Sequence, residues 1–506
     1  LLGMMAALIA DKMRPGMVLF SVVVLFLCVG ILTPKEMLEG FSNKGMITVA
    51  LLFLVSEGIR QSGTLGQVIK KLLPQGKTTV FKAQLRILPS VAFISAFLNN
   101  TPVVVIFAPI IKHWAKSVKL PATKFLIPLS YVTILGGICT LIGTSTNLVV
   151  HGMILEAGYE GFTMFELGKV GIFIAIAGII YLFIFSKRLL PDARPDTAVP
   201  DEEVEEGEKL HRVEAVLGAR FPGINKKLSD FNFQRHYGAE VKEIKTRNGQ
   251  RYVDHLEDVV LREGDTLVVM ADDTFIPTWG ESSVFVLLTN GNDPDTSGKK
   301  KRWLALILLV LMIVGATVGE LPATKEMFPD IKLDMFFFVC ITTIIMAWTN
   351  IFPARKYTKY ISWDILITIA CAFAISKAMV NSGVADCVAG FIIGLSDDYG
   401  PHVLLAILFV ITNLFTELIT NNAAAALAFP LALSISAQLG VSPTPFFVVI
   451  CMAASASFST PIGYQTNLIV QGIGNYKFTD FVRIGLPLNI ITFLISVILI
   501  PLIWNF

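Results

Sequence analysis

The sequence predicts an all-α polytopic membrane protein made of two related halves, with a small soluble α+β domain inserted between them. Three observations carry this prediction: apolar residues in long blocks, a set of motifs that recurs at a near-constant spacing, and a charged stretch of different texture midway. The chain has 506 residues, 54% hydrophobic and only 16% charged, with a mean hydropathy of +0.67. An ordinary globular chain is about 25% charged. A soluble fold of this length would have too little polar surface to cover so many apolar side chains.

The longest apolar blocks are residues 17–32, 170–185, 303–318, 335–348 and 484–503. A bilayer-spanning helix needs roughly 17–25 residues. The last block meets that outright, and the others gain a turn from their flanks. The membrane halves are therefore 1–190 and 303–506, and residues 191–302 form a linker and insert whose core is 209–288. Residues 1–10 read as the tail of a helix that begins upstream. Cys28, Cys139, Cys340, Cys371, Cys387 and Cys451 lie in or beside apolar segments without metal-ligand spacing, which reads as small buried hydrophobes. The net charge of +2 says little about partners, and no nucleic-acid partner is expected.

Basic residues accumulate on the cytoplasmic side of a membrane protein. The clusters at Lys12 and Arg14, 70–86, 112–124, Lys187 and Arg188, 299–302 and 355–359 are placed inside, and the mixed or acidic loops 35–44, 156–160, 320–334 and 397–400 outside. The apolar run 87–111 then lies between two inside clusters. A single span cannot begin and end on one side, whereas a re-entrant hairpin can. Its tip is the polar break Asn99-Asn100-Thr101-Pro102. Irregular backbone at membrane depth is tolerated only where protein or a water-filled cavity satisfies it, so the break points to a site.

The pattern G-x-x-T-N-L-x-V-x-G occurs from Gly143 to Gly152 and again from Gly463 to Gly472, an offset of 320 (143 to 463). The same offset pairs Ser62-Gly63 with Ser382-Gly383, and Asn99-Asn100 pairs with Asn421-Asn422 at 322 (99 to 421). Landmarks in one order and nearly one spacing imply an internal duplication. The second hairpin is 402–433 with its tip at Thr420-Asn421-Asn422, and it enters from outside. The halves are then inverted, a common plan of secondary transporters. Each half also carries a Gly-interrupted helix, broken at 143–147 and at 460–467.

Broken helices expose unpaired N–H groups at one end and C=O groups at the other. The first attract an anion and the second coordinate a cation such as Na+. Asn amides and Ser or Thr hydroxyls complete both shells. The anion-binding candidates are Asn99, Asn100, Thr101, Thr420, Asn421, Asn422, Thr146 and Thr466. The Na+ candidates are Ser95, Asn99, Asn100, Gly143, Asn147, Thr416, Thr420, Asn421, Thr460, Gly463 and Asn467. Intramembrane Asn and Thr also serve as glue between helices; paired Asn motifs at breaks in both repeats favour a site. Glu57 and Lys377 occupy equivalent repeat positions and read as an ion pair or, for the lysine, as a snorkelling side chain. Glu417 either balances cations or holds the hairpin in shape. His151 reads as an interfacial residue.

The Asn/Thr hairpin tips and duplicated G-x-x-T-N breaks resemble the divalent anion:sodium symporter family over both membrane halves. That resemblance implies an elevator-type, inverted-repeat transporter with two re-entrant hairpins and two broken helices. It also implies a homodimer in the cell membrane that carries sulfate or a C4-dicarboxylate together with several Na+. The family's Ser-Asn-Thr tip falls on Asn99-Asn100-Thr101 and Thr420-Asn421-Asn422, and the Ser and Thr one turn earlier fall on Ser95 and Thr416. The chain departs at Asn99, Thr420 and Asn422, and has Ser145-Thr146 where the dicarboxylate branch tends to have two prolines. Residues 459–467 and 476–480 look more like the sulfate-permease branch, which makes sulfate the expected anion and succinate or malate the alternative.

The linker 191–208 is Pro- and acid-rich, as suits an exposed tether. Strands are expected at 212–216, 241–246, 264–270 and 282–288, an amphipathic helix at 228–237, and a hairpin turn at Arg247-Asn248-Gly249. Pro222-Gly223, Leu228, Tyr237-Gly238, Leu261 and Gly264-Asp265-Thr266-Leu267 make this stretch resemble the TrkA C-terminal (RCK-C) domain, which implies a cytoplasmic module for a small regulatory ligand. No organic cofactor is expected in the membrane halves. A regulated ion channel is the competing class, but a T-V-G-Y-G filter is absent. No hydrolase triad, H-E-x-x-H or aspartate pair appears in the apolar segments, so an enzyme is not expected. An arsenite or metal-oxyanion permease is a neighbouring reading.

Overall fold

The computed structural model describes residues 2–10, 13–74, 76–192, 211–218, 221–246, 250–272, 275, 279, 284–289, 299–328, 331–394 and 400–506. Its helices repeat in order. Pro15–Cys28, Lys44–Gln61, Thr64–Leu72 and the hairpin arms Val80–Ser95 and Asn100–Ser117 are followed by Leu126–Gly137, Ser145–Glu156 and Gly168–Leu189. The second half runs Met335–Trp348, Trp363–Asn381, Val384–Gly394, Gly400–Leu418, Asn421–Leu439, Thr444–Ser455, Gln465–Gly474 and Phe478–Ile503. The Ser-Gly landmark is explained by the turn between the second and third helix of each set. Gly63 and Gly383 have φ of +70° and +71°, a left-handed conformation that a Cβ disfavours.

Among the described residues, seven helices are long and apolar enough to cross a membrane. Their outer faces are apolar and exposed. Ile172, Ile176, Ile180 and Ile184 form one stripe, and Leu486, Ile490, Leu494 and Ile498 another; a spacing of four puts each set on one helix face. Such surfaces suit lipid, not water. The inner faces close through glycine. A Cβ on Gly136 would lie 2.1 Å from the Ala92 carbonyl oxygen, and one on Gly485 would lie 2.0 Å from that of Phe458. These contacts pack each broken helix directly against backbone. The first binds the entry arm of the first hairpin, and the second is held by the final helix.

The hairpin tips fall where expected: the second arms begin at Asn100 and Asn421. The helix breaks overlap the expected ones but start and end earlier. The backbone is unwound over 138–144 and 456–464, so Gly143 and Gly463 lie within the breaks, and each break begins a few residues before the expected 143–147 and 460–467. Thr146, Asn147, Thr466 and Asn467 already belong to the first turn of the following helices. The physical reason is that the Asn amides reach back to the unwound carbonyls, which lets helix resume earlier.

The insert is a five-stranded antiparallel sheet of order β3-β2-β4-β1-β5, with β1 His211–Leu217, β2 Glu240–Lys245, β3 Arg251–Tyr252, β4 Thr266–Ala271 and β5 Phe285–Thr289. The expected helix at 228–237 is realised only as Phe233–Tyr237, stopped by Gly238 at φ +70°. Turns occupy the residues before it, where Phe221 and Phe231 enter an aromatic core with Phe233, Tyr237 and Phe285. The expected turn at 247–249 and most of the linker lie outside the described residues. The insert is seated on the membrane halves. Lys112 Nζ, on the exit arm of the first hairpin, lies 3.0 Å from both Glu214 oxygens of β1. Val216 of β1 joins the main apolar core. A Cβ on Gly264 would meet Leu468 at 3.5 Å, and one on Gly472 would meet Thr266 Oγ1 at 2.4 Å.

Candidate functional site

The duplicated residues make duplicated contacts. Ser95 Oγ donates to Asn100 Oδ1 at 2.7 Å, and Thr416 Oγ1 donates to Asn421 Oδ1 at 2.8 Å. Each bond locks the tip asparagine to the turn before it, with its amide free to aim elsewhere. Asn147 Nδ2 donates to the carbonyls of Thr140 and Gly137 at 2.9 and 3.4 Å. Asn467 Nδ2 donates to those of Ser457 and Thr460 at 2.9 and 3.3 Å. Gly143 N–H donates to Thr140 Oγ1, and Gly463 N–H to Thr460 Oγ1. A helix interrupted in apolar surroundings must find partners for its orphan backbone groups, and both halves solve this with the same side chains.

The halves also contact each other in a reciprocal way. Asn422 Oδ1, at the second tip, accepts from Ser145 Oγ at 3.3 Å and Thr146 Oγ1 at 3.2 Å on the first broken helix. Thr101 Oγ1, at the first tip, donates to Gln465 Oε1 at 3.3 Å on the second. Tyr464 Oη accepts from Asn100 Nδ2 at 2.6 Å and lies 3.0 Å from Thr144 Oγ1. Ser130 Oγ contacts Thr466 Oγ1 at 2.9 Å and Asn467 Oδ1 at 2.6 Å. Asn100, Thr146, Asn147, Thr466 and Asn467 are buried at 1% exposure or less. Asn99 and Thr420 flank this cluster half-buried, as residues that begin the second arms without capping them.

Two clusters of oxygen surround the glycines of the repeated motif. At Gly143 a Cβ would lie 2.5 Å from the Gly137 carbonyl oxygen and 3.0 Å from that of Ala96. At Gly463 it would lie 1.9 Å from Ser457 Oγ and 2.5 Å from the Thr416 carbonyl oxygen. Only glycine lets these oxygens converge. Asn147 Oδ1 and Thr420 Oγ1 are buried oxygens without a hydrogen-bond partner. Among the described residues there is no group of three His, Cys, Asp or Glu that would suit a transition metal. The chemistry is that of neutral oxygens for a hard, weakly held cation, and of amides and hydroxyls for an anion.

The ionisable side chains serve the frame. Glu417 accepts from the backbone N–H groups of Ser459 and Thr460, both at 2.8 Å, and from Asn489 Nδ2 at 2.7 Å. It holds the second hairpin to the second break, the shape-holding alternative of its two sequence readings. Glu57 pairs with Arg60 at 2.6 Å on its own helix, so of the two readings the pair with Lys377 is not the one formed, and Lys377 is exposed. His151 is packed beneath Gly161. Tyr464, Thr144, Gln465, Ser130 and Asn489 escape sequence reasoning. The first three fall on the x positions of G-x-x-T-N, where the halves differ, so a search for identity passes over them.

The sequence profile of a family described as citrate transporter matches residues 5–435 and again 327–506. An uncharacterised transporter of Synechocystis is 30% identical over 96% of this chain and 93% of its own length. Sodium/sulfate cotransporter 2 of Chlamydomonas reinhardtii is 30% identical over 55% of this chain and 31% of its own. The sodium-dependent dicarboxylate transporter SdcS of Staphylococcus saprophyticus is 25% identical over 29% of this chain and 28% of its own.

Proposed function

The chain belongs to the citrate transporter family and is an integral membrane transporter, not an enzyme; on that premise we propose that it is a sodium-coupled symporter of a small divalent anion, with sulfate as the substrate. The observation that carries this reading is the reciprocal contact of each hairpin tip with the broken helix of the other half. Two Na+ ions bind at the oxygen clusters around Gly143 and Gly463, with Asn147 and Asn467 behind them. Ser95, Asn99, Thr416, Thr420 and Thr460 shape these clusters. The ions offset the charge of the anion, which docks among Asn100, Thr101, Asn421, Asn422, Thr146 and Thr466. The relatives named for sodium, sulfate and dicarboxylate support the coupling ion and the anion class; Ser145-Thr146 and Tyr464-Gln465 favour sulfate over succinate.

The hairpins and broken helices move as one loaded bundle against the remaining helices, in a homodimer whose insert faces the cytoplasm. Uptake of labelled sulfate into proteoliposomes is expected to require external Na+ and to collapse when K+ replaces it. Asn100→Ala and Asn421→Ala should each lower that uptake at least tenfold while leaving the melting temperature within a few degrees, since each removes a buried amide worth about 1–3 kcal/mol to the bound anion. Wild-type uptake in both variants would sink the assignment.

A further inference from the structure

The polar elements of the site meet on one hydroxyl. Tyr464 Oη touches Asn100 at the first tip and Thr144 at the start of the first broken helix. Its own backbone begins the second broken helix. The repeat counterpart of Tyr464 is Thr144, 320 residues earlier, so the two residues related by the duplication touch each other at its centre. One is a small hydroxyl. The other carries a phenol ring through that centre, and there the internal symmetry is broken by volume.

We infer that Tyr464 is the specificity-determining residue of the anion site and restricts it to compact tetrahedral oxyanions; this rests on the sodium-coupled anion reading above. An incoming anion takes over the donors that now satisfy one another: the Asn100 amide and the Thr144 and Tyr464 hydroxyls. These neutral donors converge on one point. A tetrahedral oxyanion presents its oxygens around one atom and matches that convergence. A C4-dicarboxylate carries its charges at the two ends of a carbon chain. It needs two separated donor clusters with clear length between them, and the Tyr464 ring occupies that length. A buried site built of hydrogen-bond donors rejects a ligand that leaves them unpaired by large factors.

The test is uptake of labelled sulfate and succinate by wild type, Tyr464→Phe and Tyr464→Thr in the same Na+-driven proteoliposomes. Tyr464→Phe keeps the ring and removes the donor, and should raise the sulfate KM about tenfold, the scale of one lost buried hydrogen bond. Tyr464→Thr copies Thr144 into the second half and opens the centre. It should lower the sulfate-to-succinate ratio of kcat/KM at least tenfold. A wild-type sulfate KM in Tyr464→Phe, an unchanged ratio in Tyr464→Thr, or a wild type that prefers succinate overturns the assignment. Should Tyr464→Thr fail to fold, the Tyr464→Phe arm decides alone. Replacing Na+ by K+ with the wild type tests coupling by itself, so failure of the coupling reading is distinguished from failure of the role of Tyr464.

Discussion

Glu417 shows how a charged side chain inside a membrane protein is stabilised by structure. Its carboxylate accepts two backbone N–H groups and the Asn489 amide, and Thr460 Oγ1 donates to its carbonyl at 3.0 Å. In the first half Thr140 Oγ1 donates to the carbonyl of Ala96, so the carbonyl contact is duplicated and the carboxylate is an addition of the second half. Glu417→Ala leaves the Ser459 and Thr460 N–H groups without their partner and the Asn489 amide with Ser459 Oγ alone. It should destabilise the fold by about 3 kcal/mol, read as a lower melting temperature in detergent, and uptake should fall with it. Unchanged stability would mean that water replaces the carboxylate. At this scale the sequence was half legible. Asn100, Asn147, Asn421 and Asn467 announce themselves because an amide inside an apolar repeat has few uses. The role of Glu417 depends on Asn489, 72 residues away, and no spacing rule connects them.

Among the elements, the insert is the one whose placement matters most. It does not hang from its linkers; it rests on the exit arm of the first hairpin and on the second broken helix, two of the elements that build the site. Burial alone would raise the Glu214 carboxyl. Lys112, Lys245 and Arg212 outweigh burial and bring it down from the ordinary 4.5 to about 2. A depressed carboxylate contributes stability that is present in full above its unfolded value and is lost as pH falls toward its folded one. Docking should therefore be insensitive to pH from neutrality to about 5 and weaken below about 4. Hydrogen exchange across His211–Leu217 would follow it. A double-mutant cycle of Lys112→Met with Glu214→Gln should give a coupling of about 2 kcal/mol, and a coupling near zero would mean that the apolar contact at Val216 and Gly264 carries the docking. Four of the five strands were expected from alternation and turn residues. The two-residue β3 is too short to alternate, and the helix expected at 228–237 yielded to the aromatic core because burying Phe221 and Phe231 outweighs helix propensity.

The whole molecule is a chain that solves one packing problem twice. Tip, break and glycine contacts recur at the spacing of the sequence repeat, and the halves interlock through Thr101–Gln465 and Ser145–Asn422. Inversion of the halves predicts that the ends of the two exit arms lie on opposite sides of the membrane. With native cysteines replaced, Lys116→Cys should be labelled by an impermeant maleimide from the side of the insert, and Ala437→Cys from the other. Labelling of both from one side would overturn the inversion. The sequence by itself determined the membrane class, the two halves, the hairpin tips and the asparagines, because hydropathy, charge and exact repetition are local properties that survive without coordinates. Only the tertiary structure decided where helix stops and resumes at the breaks, which partner Glu57 and Glu417 take, where the insert sits, and that Tyr464 stands at the centre. Those outcomes depend on which groups of distant segments must satisfy one another once water is gone. At the centre of a duplicated site, the decisive residue is the one that does not repeat.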